Sequence, residues 1–162
     1  MASVEALLAA GIVPVLHGDV VLDAAPRGCA VLSGDTIVRH LALALAPAFV
    51  LFLTNVSGIY DRPPDRPGAA LVPEIVVSRD GSWALPGGGG VATSVDDSTD
   101  VTGGIETKIA EAAAIARHGV PVLITRAGGE GAAQALREGA GVRAVHASWE
   151  GTLVRAADGR GA

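Results

Sequence analysis

D-V-T-G-G-I-E-T-K, residues Asp100 to Lys108, joins a short polar residue and two glycines to the start of a helical run. The first N–H groups of a helix lack intrahelical partners, and the helix dipole is positive at that end, so such a start attracts anions. A cation in or just past the first turn is unfavourable unless an anion lies nearby, and Lys108 occupies that position. Glu106 offers a local explanation for it, and a phosphate gripped by Lys108 and the Gly103–Gly104 amides offers a functional one. Composition favours the second explanation, because Lys108 is the only lysine among 12 basic residues. Downstream, Ile105, Ile109, Ala112 and Ala116 form one apolar stripe and predict a helix from Ile105 to His118. Gly119 stops that helix, and Val120 to Thr125 is a short apolar run with the character of a buried strand.

Working back toward the N-terminus, the same alternation repeats. Ser3 to Ala10 predicts a helix capped by Ser3 and stopped by Gly11. Ile12 to Leu16 predicts a strand, Val20 to Asp23 a hairpin arm, and Cys29 to Leu32 a second apolar strand. A helix is expected over Thr36 to Ala46, with Ile37, Leu41 and Leu45 on one face and Asp35 as a candidate cap. Phe49 to Leu53 reads as a third buried strand. Tyr60 to Gly68 is stiffened by prolines and cannot be regular structure. Leu71 to Val77 is expected at a sheet edge. The segment 61–99 holds long loop excursions, and Gly87 to Gly90 reads as linker because no Lys-Ser or Lys-Thr follows it. Gly131 to Glu138 predicts a small helix and Thr152 to Arg155 a last strand. Short β-branched runs alternating with helices predict one α/β domain over 1–162, built on a mainly parallel sheet.

Composition narrows the function classes. At 162 residues, with 49% hydrophobic and 18% charged residues, the chain reads as one globular domain. A net charge of −5 and the lack of aromatic–basic interleaving argue against nucleic acid as a partner. No apolar run approaches the ~20 residues of a membrane span. Cys29 is the single cysteine, expected to be buried, and with no basic leader at Met1 to Ala10 a reducing, cytoplasmic location is expected.

Open parallel sheets bind ligands beyond the carboxyl ends of their strands. That rule gathers His17-Gly18-Asp19, Ser33-Gly34-Asp35 and Thr54-Asn55, each of which directly follows a predicted strand. Phosphoryl transfer needs backbone donors, a lysine and usually carboxylates for Mg²⁺. Gly34, Gly103 and Gly104 supply close-approach backbone, Lys108 supplies charge, and Asp19, Asp35 and Asp100 are candidate carboxylates. Each Asp alone is equally a turn former or a helix cap. The four histidines show no metal spacing.

G-I-V-P-V-L-H-G-D (Gly11 to Asp19), L-S-G-D-T-I (Leu32 to Ile37), F-L-T-N-V-S-G-I-Y-D-R-P-P (Phe52 to Pro64) and D-V-T-G-G-I-E-T-K occur in the order seen in the amino-acid kinase superfamily. D-G-S-W (Asp80 to Trp83) and W-E-G-T (Trp149 to Thr152) resemble the isopentenyl phosphate kinase branch of plants and animals. The resemblance implies an open α/β sheet sandwiched by helices, often in a homodimer. It implies transfer of the γ-phosphate of ATP, with Mg²⁺, to isopentenyl phosphate as the small-molecule acceptor. Carried over by motif, Asn55 to Tyr60 border the nucleotide, and Gly103, Gly104 and Lys108 hold its phosphates. Gly34 and Asp19 belong to the acceptor side, and Lys108 and Asp35 are the catalytic candidates. Relatives in the superfamily phosphorylate carboxylates, carbamate, uridylate and fosfomycin. Two departures stand out. Asn55 replaces the family's usual Asp, and the family's first third, with its lysine-glycine-glycine loop and acceptor histidine, has no counterpart here. The resemblance therefore implies a partial form, weakly active or inactive.

Overall fold

The structure, a computed structural model, describes residues 1–24, 28–84 and 104–157. It divides into two compact units, Met1–Ala46 and Pro47–Ala162. In the first unit, helix α1 (Ala2–Ala9) arises from an Ala- and Leu-rich run of good helix formers. Met1 stands at its N-cap, so Ser3 lies inside the helix and is not the cap. The end closes as expected at Gly11, whose N–H donates to Leu8 while the Ile12 N–H reaches back to Leu7.

Residues 12–16 are not the predicted strand. They are irregular, and Val13 and Val15 are 81% and 93% exposed. Strand backbone needs a ladder partner for its N–H and C=O groups, and no described segment pairs with this one. The hairpin arm does form: β1 (Asp19–Leu22) runs antiparallel to β2 (Cys29–Leu32), with Asp19 opposite Leu32. The residues of this two-stranded ribbon are mostly exposed, and Cys29 is exposed and not buried as expected. Helix α2 (Gly34–Leu45) follows. Its cap is Ser33, whose Oγ accepts from the Thr36 N–H at 3.2 Å; Asp35 lies in the first turn and is not the cap.

The second unit holds β3 (Val50–Thr54), β4 (Glu74–Val77), β5 (Trp83–Ala84), α3 (Gly104–Arg117), β6 (Val122–Arg126), α4 (Glu130–Glu138), α5 (Val142–Val145) and β7 (Thr152–Ala156). The five strands form one sheet in the order β3-β6-β7-β4-β5. The expected open α/β sheet is present, and its directions are mixed. β3–β6 and β4–β7 are parallel, whereas β6–β7 and β4–β5 are antiparallel. β4 is interior, and the two-residue β5 takes the edge position that the sequence assigned to Leu71–Val77.

Helices cover both faces of this sheet. Leu123 of β6 packs with Ala135 of α4, Val142 of α5 and Trp149, and Leu51 of β3 joins that cluster. Side chains alternate along a strand, so Phe52 and Ile124, paired in register, face the other way. Helix α3 packs on β4, β6 and β7 with Ile109, Ala112, Ile115 and Ala116 buried. Ile105, the first residue of the predicted stripe, has a side chain outside the described residues. Each fully buried Leu or Ile contributes roughly 1.5–3 kcal/mol, so the shared core of β3, β6, α3 and α4 holds the unit together. Tyr60 to Gly68 is irregular, as expected. Asp61 accepts from the Ala70 N–H and pairs with Arg62 at 3.0 Å, which pins the excursion at its base. The Gly87 to Gly90 linker lies outside the described residues.

Candidate active site

Parallel neighbours β3 and β6 end side by side, with Thr54 opposite Arg126 and the Ala127 N–H donating to the Thr54 carbonyl. The polar segment after β3 begins there. The Thr54 hydroxyl donates to Asn55 Oδ1 at 3.1 Å, and Asn55 is exposed at the strand end. Tyr60 closes the segment through an isolated bridge to Leu71. Helix α3 begins at Gly104, one residue before the predicted start at Ile105, and Gly103 and Asp100 lie outside the described residues. Lys108 is therefore just past the first turn. Its Nζ sits 4.7 Å from the centroid of the Phe52 ring. Phe52 and Thr54 share one face of β3, so the lysine is held on the face that carries Thr54, the last residue of the strand. A cation over an aromatic ring gains about 0.5–2 kcal/mol. That interaction fixes the charge beside Phe52 of β3.

The W-E-G-T segment fastens this edge. Trp149 Nε1 donates to the Gly131 carbonyl at 2.9 Å, and the Thr125 hydroxyl donates to the Glu150 carbonyl at 2.7 Å. The indole folds back over Gly151, where an added Cβ would fall 2.1 Å from a ring carbon, so no larger residue fits. Thr152 is fully buried. Its hydroxyl accepts from the Ile59 N–H at 2.8 Å and donates to the Val72 carbonyl at 2.7 Å.

In the first unit, two predicted tripeptides meet. A Cβ on Gly18 would lie 2.6 Å from the Leu32 carbonyl oxygen and 3.3 Å from the Gly34 nitrogen. His17-Gly18-Asp19 is thereby laid against Ser33-Gly34-Asp35. Asp19 accepts from the Val20 N–H at 2.8 Å, and Asp35 is half-buried at the start of α2. Gly34 opens that helix. The structure thus groups Asp19, Gly34 and Asp35 in the first unit, and Asn55, Tyr60, Gly104 and Lys108 in the second.

Among the described residues, no group of three or more His, Cys, Asp or Glu side chains could hold a metal ion. A protein-built Mg²⁺ cage does not fit these residues. No described helix is long and apolar enough to cross a membrane. Asp61, next to Tyr60, has its carboxyl held below the usual range by the Arg62 side chain first and then by the Ala70 N–H. Sequence reasoning missed Arg126 and Thr152. The strand-end rule that selected Asn55 also selects Arg126 once the β3–β6 register is known. Thr152 left no signal beyond its motif, because its two partners lie 80 and 93 residues away.

Comparison with known proteins places these features. The amino acid kinase family matches residues 1–126. An isopentenyl phosphate kinase of Arabidopsis thaliana is 48% identical, over 96% of this chain and 48% of the relative. One from Methanothermobacter thermautotrophicus is 37% identical, over 76% of this chain and 44% of the relative. An X-ray structure of isopentenyl phosphate kinase matches with a TM-score of 0.62 at 28% identity, covering 94% of this chain and 49% of that one. The chain spans about half the length of the curated relatives it matches. With a match across residues 1–126 and the helix-flanked sheet of those relatives, the chain belongs to the amino acid kinase family.

Proposed function

We propose that this chain carries the nucleotide-phosphate half of an ATP-dependent kinase whose acceptor is isopentenyl phosphate. The observation that carries the reading is the position of Lys108, held over Phe52 on the β3 face that carries Thr54, the residue before Asn55. One lysine, the start of α3 and a polar strand-end loop then converge on one edge of the second unit. In the proposed reaction an oxygen of the acceptor phosphate attacks the γ-phosphorus of ATP. The bond from that phosphorus to the ADP oxygen breaks, and isopentenyl diphosphate and ADP are released. Two anions must approach each other, so neutralisation of charge is the main task of the protein.

In this reading Lys108 neutralises the transferring phosphoryl group, with Gly103 and Gly104 offering backbone donors beside it. Asn55 to Tyr60 border the nucleoside, and Arg126 adds charge at the neighbouring strand end. Asp35 is the second catalytic candidate, and Gly34 and Asp19 serve the acceptor; their assignment rests on motif. Mg²⁺ enters as the counter-ion of ATP. The similarity to isopentenyl phosphate kinases supports the acceptor. A cytoplasmic homodimer belongs to the same proposal.

Asn55, in place of the family's usual Asp, favours a 162-residue chain that binds ATP and catalyses little by itself. The test is ADP release from the 162-residue chain with Mg²⁺, ATP and isopentenyl phosphate, run beside a direct ATP-binding titration. Saturable ATP binding with turnover at background is expected. Robust turnover would refute the low activity assigned to this chain, and absence of ATP binding would refute the nucleotide role.

A further inference from the structure

We infer that Thr152, from the W-E-G-T segment, is a positioning residue that pre-sets the Asn55–Tyr60 loop for the nucleoside of ATP; this rests on the proposed assignment of that loop to the nucleotide. The side chain lies far from the loop in sequence and belongs to the first residue of β7. It is fully buried, and its one hydroxyl is used twice, accepting from the Ile59 N–H and donating to the Val72 carbonyl. The two segments leading into and out of the Tyr60–Gly68 excursion are thus tied to one atom. Val72 and Ile59 are also joined directly, since the Val72 N–H donates to the Ile59 carbonyl at 2.7 Å.

The loop is shaped around this anchor. Gly58 takes φ +152, and a Cβ there would meet Thr152 Oγ1 at 2.7 Å and the Thr152 nitrogen at 3.1 Å. A side chain at position 58 would push the loop off its tether. One residue earlier, the Ser57 hydroxyl donates to Glu150 Oε2 at 3.4 Å, from the same segment. The Glu150 carbonyl in turn accepts from Thr125 of β6. Loop order is therefore transmitted from the sheet through residues 150–152. Lys108 is seated on α3 and over Phe52. Losing the tether should loosen the grip on the nucleoside while leaving the phosphate grip in place.

The test compares ATP with inorganic tripolyphosphate, which offers phosphates and no nucleoside, by titration into the full chain. Thr152→Val keeps the shape and removes the hydroxyl. It is expected to weaken ATP binding about tenfold, the cost of stranding a buried N–H, and to leave tripolyphosphate binding within about twofold. Thr152→Ser should restore both affinities, and Gly58→Ala should reproduce the Thr152→Val pattern. Equal loss for both ligands would reduce Thr152 to a structural role and overturn the inference, as would unchanged ATP binding. Failure of the wild-type chain to bind ATP would instead remove the nucleotide reading beneath it. Should Thr152→Val not fold, hydrogen exchange at the Ile59 amide of the wild-type chain decides. Protection already present without ATP is expected, and protection that appears only with ATP overturns the pre-set loop.

Discussion

In the second unit, four consecutive residues of β6, Val122 to Thr125, are buried. In the first, Ala42 is the one buried residue among those described, while Leu22 is 95% exposed. Both units contain helices with clean ends and strands with β-branched residues. They differ in whether those elements find partners. A helix or a hairpin closes its own hydrogen bonds and can form from local sequence. An apolar face contributes to stability only when something covers it. The second unit covers β3 and β6 with α3 on one face and α4 and α5 on the other. The first has local structure and, within its own described residues, little core. Here the elements that carry the proposed nucleotide site are also those that share a core, which suits a site that must hold Lys108 and Asn55 in fixed register.

The sharpest way to break this contrast is a matched pair of truncations. Leu123→Ala should destabilise the chain by about 2–5 kcal/mol, the range for a buried Leu whose cavity does not collapse. Leu22→Ala should change stability by no more than ~0.5 kcal/mol, as at other exposed sites. Urea unfolding followed by circular dichroism measures both. A cost for Leu22→Ala approaching that of Leu123→Ala would show that the first unit buries more than its exposure implies. A smaller effect is expected at the Tyr60–Gly68 excursion. The Asp61 carboxyl is held below its ordinary value by the Arg62 side chain first and then by the Ala70 N–H. Its contribution is therefore present above the ordinary carboxylate range and fades as pH falls through the lowered folded value. Because the group lies at the surface beside an exposed Arg62, the acid-side loss should be slight and should disappear in Asp61→Asn. Unfolding midpoints between pH 5 and about 2.5, compared for the two chains, would show a difference that grows at neutral pH and vanishes in acid. A difference that grows in acid instead would contradict the assigned cause.

Much of this molecule was legible from its residues. The α3 stripe of Ile109, Ala112 and Ala116, the buried run of β6 and the Gly11 and Gly119 stops are local signals, and all appear where predicted. Motif order was enough to place the chain in its family. Three features were not legible, and each depends on a partner elsewhere in the chain. Residues 12–16 have strand character without a ladder among the described residues, Cys29 lies in an apolar run yet is exposed beside Leu22, and β4 is interior because the short β5 pairs outside it. At the candidate site, Lys108 and Asn55 could be named because helix starts and strand ends have local signatures. The Lys108–Phe52 contact and the double use of the Thr152 hydroxyl could not, since each joins distant segments.

The central claim is that Lys108, held over Phe52 of β3, grips the phosphates of ATP. Titration of Mg²⁺-ATP into the wild-type chain and into Lys108→Ala, with folding checked by circular dichroism, tests it most directly. Removing a charge-assisted hydrogen bond typically costs about 1.5–3 kcal/mol, so the variant should bind about ten- to a hundredfold more weakly. Equal affinity in the two folded chains would contradict the claim.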